Sequence, residues 1–135
     1  MKFNDFGTIS VRVYTAGGAL PLGDAVVRIK GAEEENRFVE YSVLTDADGV
    51  TGLISLPTPD KLYSLSPSPG EIPYAVYDIE ITKDGYYTKR INNIAAFSGV
   101  RALQEVGMIP ISISEESFYP RENLDVTVRE NDFLL

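Results

Sequence analysis

The chain reads as an all-β protein, a seven-stranded Greek-key sandwich with a long proline-rich connection and an extra C-terminal strand or tail. Three observations carry that prediction. Apolar residues recur with period two in one segment after another, and no stretch shows convincing helical spacing. Glycine, proline, Asn and Asp punctuate those segments at regular intervals. Near the middle, Asp46-Ala47-Asp48-Gly49 forms a polar corner between two strand-like runs. Asp side chains accept hydrogen bonds from nearby backbone N–H groups, and glycine adopts positive φ without steric cost, so a tight hairpin is expected there.

The elements follow in order. From Thr8 to Tyr14, Ile9, Val11 and Val13 alternate with Ser10, Arg12 and Tyr14, the signature of a half-buried strand. The loop Thr15–Asp24 is rich in breakers, after which Ala25, Val27 and Ile29 alternate with Val26, Arg28 and Lys30. Glu33-Glu34-Glu35 with Asn36 and Arg37 reads as a solvated hairpin tip. Phe38 to Thr45 is a strand with apolar residues on both faces, and Val50 to Leu56 is its partner across the Asp46–Gly49 turn. Pro57-Thr58-Pro59 ends that partner. Five of the eight prolines fall within residues 57–73, so this connection is expected to be stiff, with Tyr63 and Leu65 packed on the sandwich. In Ala75–Thr82, Tyr77, Ile79 and Ile81 oppose Asp78, Glu80 and Thr82; Lys83-Asp84-Gly85 is a hairpin turn, and Tyr86 opens the next strand. Asn92-Asn93 is turn-like, Ala95–Ala102 suits a short helical turn, and Leu103–Ile113 closes the core through Val106, Met108, Ile109, Ile111 and Ile113.

These readings divide the chain into an extension over residues 1–6, a sandwich domain over 7–113 and a tail over 114–135. In the tail Leu124, Val126 and Val128 alternate with Asp125, Thr127 and Arg129. That strand has three readings: it joins its own sheet edge, stays loose, or pairs with the edge of a neighbouring molecule by strand addition.

Composition narrows the function. A net charge of −8 over 135 residues argues against nucleic acid and anionic membrane surfaces as partners. The absence of cysteine and histidine removes thiol nucleophiles, Ser-His-Asp chemistry and the usual zinc ligands, so neither cofactor nor enzymatic activity is expected. The N-terminus Met1–Gly7 has no apolar signal-like run, and no stretch is long and apolar enough to span a bilayer as a helix; synthesis in the cytoplasm is the expectation. Asp46-x-Asp48-Gly49 begins like a calcium loop, but Val50 and Ser55 stand where further oxygen ligands are needed, which favours a plain turn. Tyr63, Tyr74 and Tyr77 surround the proline-rich connection and form a candidate platform for a sugar or a protein partner, since aromatic faces stack on both.

Asp24-Ala25-Val26-Val27-Arg28-Ile29, Leu44-Thr45-Asp46-Ala47-Asp48-Gly49 and Asp84-Gly85-Tyr86 resemble the carboxypeptidase-regulatory or transthyretin-like domains. That resemblance implies a small, usually non-catalytic sandwich; the ring-opening hydrolases of this type rely on histidine, which this chain lacks. Leu56-Pro57-Thr58-Pro59, Tyr63-Ser64-Leu65-Ser66-Pro67, Ile72-Pro73-Tyr74-Ala75-Val76-Tyr77-Asp78-Ile79 and Ile109-Pro110, in this order, resemble the N-terminal domain of clostridial-type spore cortex-lytic, peptidoglycan-binding proteins. It implies a bacterial spore- or envelope-associated setting, in which lytic and glycan-binding activities belong to further domains. The expected function is a structural or interaction module that pairs with protein partners or with itself, the alternative being an accessory module that binds peptidoglycan.

Overall fold

A computed structural model describes residues 3–60 and 74–112 together with the backbone of 123–127. Two β-sheets pack face to face. The strands are β1 (Asp5–Thr15), β2 (Leu20–Pro21), β3 (Val26–Gly31), β4 (Glu40–Leu44), β5 (Ile54–Thr58), β6 (Ala75–Thr82), β7 (Thr88–Ala96), β8 (Arg101–Gly107) and β9 (Asn123–Thr127). Seven of them, β1 and β3 to β8, are the strands expected from the pattern; β2 is a two-residue addition and β9 lies in the tail.

The first sheet is built on β1, which pairs antiparallel with β5 over Asp5–Ile9 and with β2 at Tyr14 and Thr15. On its other edge β1 pairs in parallel with β8, from Thr8 opposite Arg101 to Tyr14 opposite Gly107. The second sheet runs in the order β4-β3-β6-β7-β9. Its first four strands are antiparallel, and β9 joins β7 in parallel. The inward residues are the alternating set that periodicity predicts: Ile9, Val11 and Val13 from one sheet meet Ala25, Val27, Ile29, Tyr77, Ile79 and Ile81 from the other, all buried. Burial of these side chains supplies the main driving force, about 1.5–3 kcal/mol for each large aliphatic one.

The Asp46–Gly49 corner is a turn but not a hairpin. The Asp46 carboxylate accepts from the N–H groups of Asp48 and Val50, at 2.9 and 3.0 Å, and the Gly49 N–H closes the turn on the Asp46 carbonyl. The chain then crosses between sheets, because β4 pairs with β3 while the residues after the turn are taken by β1. Val13 donates to the Gly49 carbonyl at 2.7 Å and Thr51 donates to the Val11 carbonyl at 2.9 Å. The Thr51 hydroxyl accepts from the Val11 N–H, so residues 49–51 fill the stretch of β1 left between β5 and β2.

Asn92-Asn93 is not a turn between strands. It is a bulge within β7: Ile91 faces Ile79 and Ile94 faces Tyr77, leaving two Asn residues opposite Asp78. Asn93 takes positive φ and its N–H is accepted by the Asp78 carboxylate at 3.0 Å, a conformation Asn tolerates better than most residues. Nor does Ala95–Ala102 form a helical turn. Ala95 and Ala96 extend β7, and a β-turn closed by Val100 N–H on the Phe97 carbonyl, with Gly99 at positive φ, leads into β8.

At the acidic tip, Glu34, Glu35 and Arg37 are exposed as expected, but Asn36 is fully buried. Its side-chain amide donates to the Val76 carbonyl while the Glu33 carboxylate accepts the Val76 N–H, so two side chains serve the backbone of β6. From β8 onward, Val106 and Met108 enter the core, whereas Leu103 and Ile109 are half exposed and Ile113 falls outside the described residues. Pro57 lies within β5 rather than ending it, opposite Phe6 on that strand's paired edge, and the stiffness expected of residues 61–73 lies outside the described residues.

Gly49 and Gly85 separate two kinds of glycine requirement. Both adopt positive φ, but a Cβ at Gly85 meets open space, whereas one at Gly49 collides with the Val13 carbonyl oxygen. Gly85→Ala is expected to lower the unfolding free energy by about 1–2 kcal/mol, the left-handed backbone cost alone. Gly49→Ala adds displacement of a ladder carbonyl and should exceed about 3 kcal/mol. Urea melts of both variants check the pair; equal losses would contradict the close approach of the turn to β1.

Candidate functional site

Strand β7 is where the sandwich departs from a closed seven-strand body. On the outer face of its sheet, charges alternate from strand to strand. Glu40 on β4 bonds Arg28 on β3 at 2.7 Å, Arg28 reaches Glu80 on β6 at 3.7 Å, and Glu80 bonds Arg90 on β7 at 2.8 Å. Arg28–Glu80 and Glu80–Arg90 sit directly opposite in register, while Glu40, opposite Lys30, reaches Arg28 along the diagonal; both are arrangements in which opposite charges stabilise a sheet. The hydrogen bond from Arg28, and then its positive charge, hold the Glu40 carboxyl below its ordinary value.

The tail strand continues this pattern. Register places Asp125 beside Arg90, Leu124 beside Lys89 and Val126 beside Ile91. The apolar alternation of Leu124 and Val126 thus takes the positions of β7 that alternate between Lys89 and Ile91, and the acidic residue takes the position next to the arginine. Val128, the third member of the expected tail set, lies outside the described residues. Of the three readings of the tail, the structure has the strand on its own sheet edge.

The tyrosine platform does not assemble as expected. Tyr77 points into the core with 0% of its surface exposed, because its position on β6 belongs to the inward set with Ile79 and Ile81. Its hydroxyl donates to the Pro57 carbonyl of the opposite sheet at 2.6 Å. Burial pushes the phenol well above the ordinary tyrosine value, which keeps it a neutral donor. Tyr74 is half-buried and its ring packs against Phe97, with centroids 5.2 Å apart. Tyr63 lies outside the described residues.

Two features were not legible from the pattern. The first is the edge at β4, where Phe38 is 76% exposed and Leu44 is also exposed. The second is a cleft of about 790 Å³ between β7 and β8, lined along its length by residues 102–107 of β8, by Ile91, Ile94 and Ala96 of β7 and by Phe97 of the turn that follows. At one end, the Lys89 amine donates to the Gly107 carbonyl at 3.2 Å. Lys89 stands two residues before Ile91, on the inward phase of β7 opposite Ile81, but its charge hides this from a reading of apolar periodicity. Among the described residues no group of three or more carboxylates could hold a metal ion, and no helix is long and apolar enough to cross a membrane.

No family model matches the chain, and no curated protein matches it. Solved structures do. The Bacillus anthracis TIE protein matches 79% of this chain at a TM-score of 0.52 and 16% identity, the match spanning 17% of that protein. Catechol 1,2-dioxygenase from an Acinetobacter species matches 90% of this chain at 0.52 and 15% identity, spanning 58% of that enzyme. Transthyretin from Sparus aurata matches 77% of this chain and 97% of its own, at 13% identity and a TM-score of 0.41. The first two likenesses establish a shared β-sandwich; at such identities they establish the fold alone.

The charge ladder has a pH signature. Because the folded-state pKa of Glu40 is lowered, its contribution to stability is present above the ordinary value of 4.5 and is lost as pH falls through the lowered one. Glu40→Gln should therefore flatten the acid limb of the stability profile while leaving the neutral limb's shape unchanged. High salt should shrink the difference, since both partners are exposed. Urea melts between about pH 3 and pH 7, in low and high salt, check this; superimposable acid limbs would show that the pair contributes nothing.

Proposed function

We propose that the chain is a non-catalytic structural module that assembles with copies of itself by exchanging strand β9 at the β7 edge. The observation that carries this reading is the mismatch between the tail's connection and the gap it bridges. Ile111 donates to the Gly85 carbonyl, and Asn123 pairs with Thr88, so the two anchor points lie three residues apart beside the start of β7. Eleven residues, 112–122, join them. Fully extended, such a segment reaches about 36 Å, several times the roughly 10 Å that three strand residues span. A connection this long serves the β7 edge of a second molecule as readily as that of its own. The strand that docks there has the same ladder, the same Arg90–Asp125 register and the same apolar alternation in either case.

Exchange of an identical element brings no new interface chemistry and is a low-cost route to oligomers. Backbone hydrogen bonds provide affinity and the alternate side chains provide register, the strand-addition mode of recognition. The setting, a bacterial spore or envelope assembly, rests on the resemblance of the proline-rich phrases. Peptidoglycan binding through Tyr63, Tyr74 and Tyr77 has less support, because Tyr77 is committed to the core.

The chain has no native cysteine, which makes disulfide trapping clean. Asn92 and Thr127 are register partners in the parallel β7–β9 pair. One preparation carrying Asn92→Cys and another carrying Thr127→Cys, unfolded and refolded together and then oxidised, should give a covalent dimer in high yield. Light scattering on the full native chain should show a mass above that of the monomer. A monomeric native chain, with the doubly substituted Asn92→Cys/Thr127→Cys protein forming only an internally crosslinked monomer, would overturn the exchange.

A further inference from the structure

We propose that the cleft between β7 and β8 is a binding site for a single-chain amphiphile with an anionic head, specifically a long-chain carboxylate. The proposal is independent of strand exchange, since it uses the inner face of β7 and not its edge. The cleft's volume, about 790 Å³, lies within the range of small-molecule sites and exceeds what a single fatty chain fills.

Polarity is segregated along the cleft. Strands β1 and β8 run in parallel, so Tyr14 and Gly107 share one end while Thr8 and Arg101 share the other. The Lys89 amine is anchored at the Gly107 end by its bond to that carbonyl. An ammonium has three donors, and this contact uses one. Among the described residues Lys89 forms no ion pair; Glu105 also lines the cleft, but its carboxylate is paired with Arg12 at 3.8 Å. Gln104 sits at the inward register position opposite Val11, midway along β8, where its side-chain amide donates to the Glu105 carbonyl at 3.2 Å. A half-buried ammonium held at the end of an apolar cleft is the chemistry that receives a carboxylate.

The opposite end is apolar apart from Thr8. Ala96, Phe97, Val100 and Ala102 line it, with Ile91, Ile94 and Leu56 between the two ends. Its width follows from two alanines: Ala96 and Ala102 stand at inward positions, opposite Ala75 and Ile9, where larger aliphatic residues would close the gap. An apolar space of this size gains free energy when a hydrocarbon replaces water in it. A charged receptor at one end and a hydrocarbon-sized slot at the other specify the ligand's two parts and their order.

The test uses the full chain and the fluorescent fatty acid cis-parinarate, displaced by dodecanoate below its micellar concentration. Dodecanoate should displace the probe, and n-dodecanol, with the same chain and no charge, should do so about tenfold less well, the usual worth of one charge-assisted bond. Lys89→Gln should weaken dodecanoate about tenfold while leaving n-dodecanol unchanged, which separates a lost head-group contact from a general loss of structure. Ala102→Phe, at a partly buried strand position lining the cleft, should abolish binding of both ligands with the circular dichroism spectrum retained. The proposal is overturned if dodecanoate fails to displace the probe, if Lys89→Gln weakens both ligands equally, or if the well-folded Ala102→Phe protein binds as tightly as the parent.

Discussion

An eleven-residue strand with both edges to satisfy is the constraint from which the rest of this molecule follows. Strand β1 runs the full length of its sheet, and each of its backbone groups needs a partner, because an unpaired buried amide costs as much as a lost hydrogen bond. No single strand pairs one of its edges. β5, residues 49–51 and β2 share it in succession, while β8 takes the other edge alone. The central turn is therefore a hand-over between sheets: Gly49 must come close enough to β1 to accept from Val13, and only glycine leaves room for that approach. Gly7 plays the same part at the other end of β1, where a side chain would strike the Phe97 carbonyl of the turn leading into β8.

The sheets that result are unequal. The one built on β1 is three strands wide at any level, whereas the facing one has five. The larger sheet therefore extends past its neighbour, at β4, whose residues are mostly exposed, and at β7, where β9 is added. Two consequences arise from this one inequality. The outer edge of β7 is a place where a further strand docks, and the inner face of β7 is left with a cleft that β8 does not fill. Lys89 is the residue at which the two meet: it is paired by register with the tail strand and reaches across to the end of β8. A lysine at an inward strand position breaks the alternation that governs the other core strands, and such local departures are where function is to be sought.

Much of the scaffold was legible in the residue pattern, and the reason is period two. Ile9, Val11 and Val13 on β1, Ala25, Val27 and Ile29 on β3, and Tyr77, Ile79 and Ile81 on β6 are all buried, since a strand with one face on a core admits one register only. What the pattern did not reveal is pairing. Asp46–Gly49 looks the same whether the next strand returns beside β4 or leaves for the other sheet; the competition for β1 decides it, and that competition is non-local. Asn92-Asn93 carries turn chemistry, and a bulge uses the same positive φ without ending the strand. Leu103, opposite Ser10, and Ile109, next to buried Met108, fall on the outward phase of the same alternation that buries Val106 and Met108, so their apolar character alone does not make them core. Tyr77 was read both as an inward strand residue and as part of an aromatic platform; the strand reading prevailed because position on β6, not side-chain type, sets the face. The cleft was invisible for a related reason: its two alanines and its lysine lie on consecutive strands that belong to different sheets, and a linear pattern does not report which strands face each other.

The central claim is that the β7 edge is completed between molecules rather than only within one. Hydrogen exchange at the amides of Lys89–Asn92, measured across a hundredfold range of protein concentration, tests it most directly. If copies exchange β9, protection at these amides rises with concentration while that of the central strand β6 stays constant. Protection at the β7 edge that is high at the lowest concentration and does not change would contradict the account.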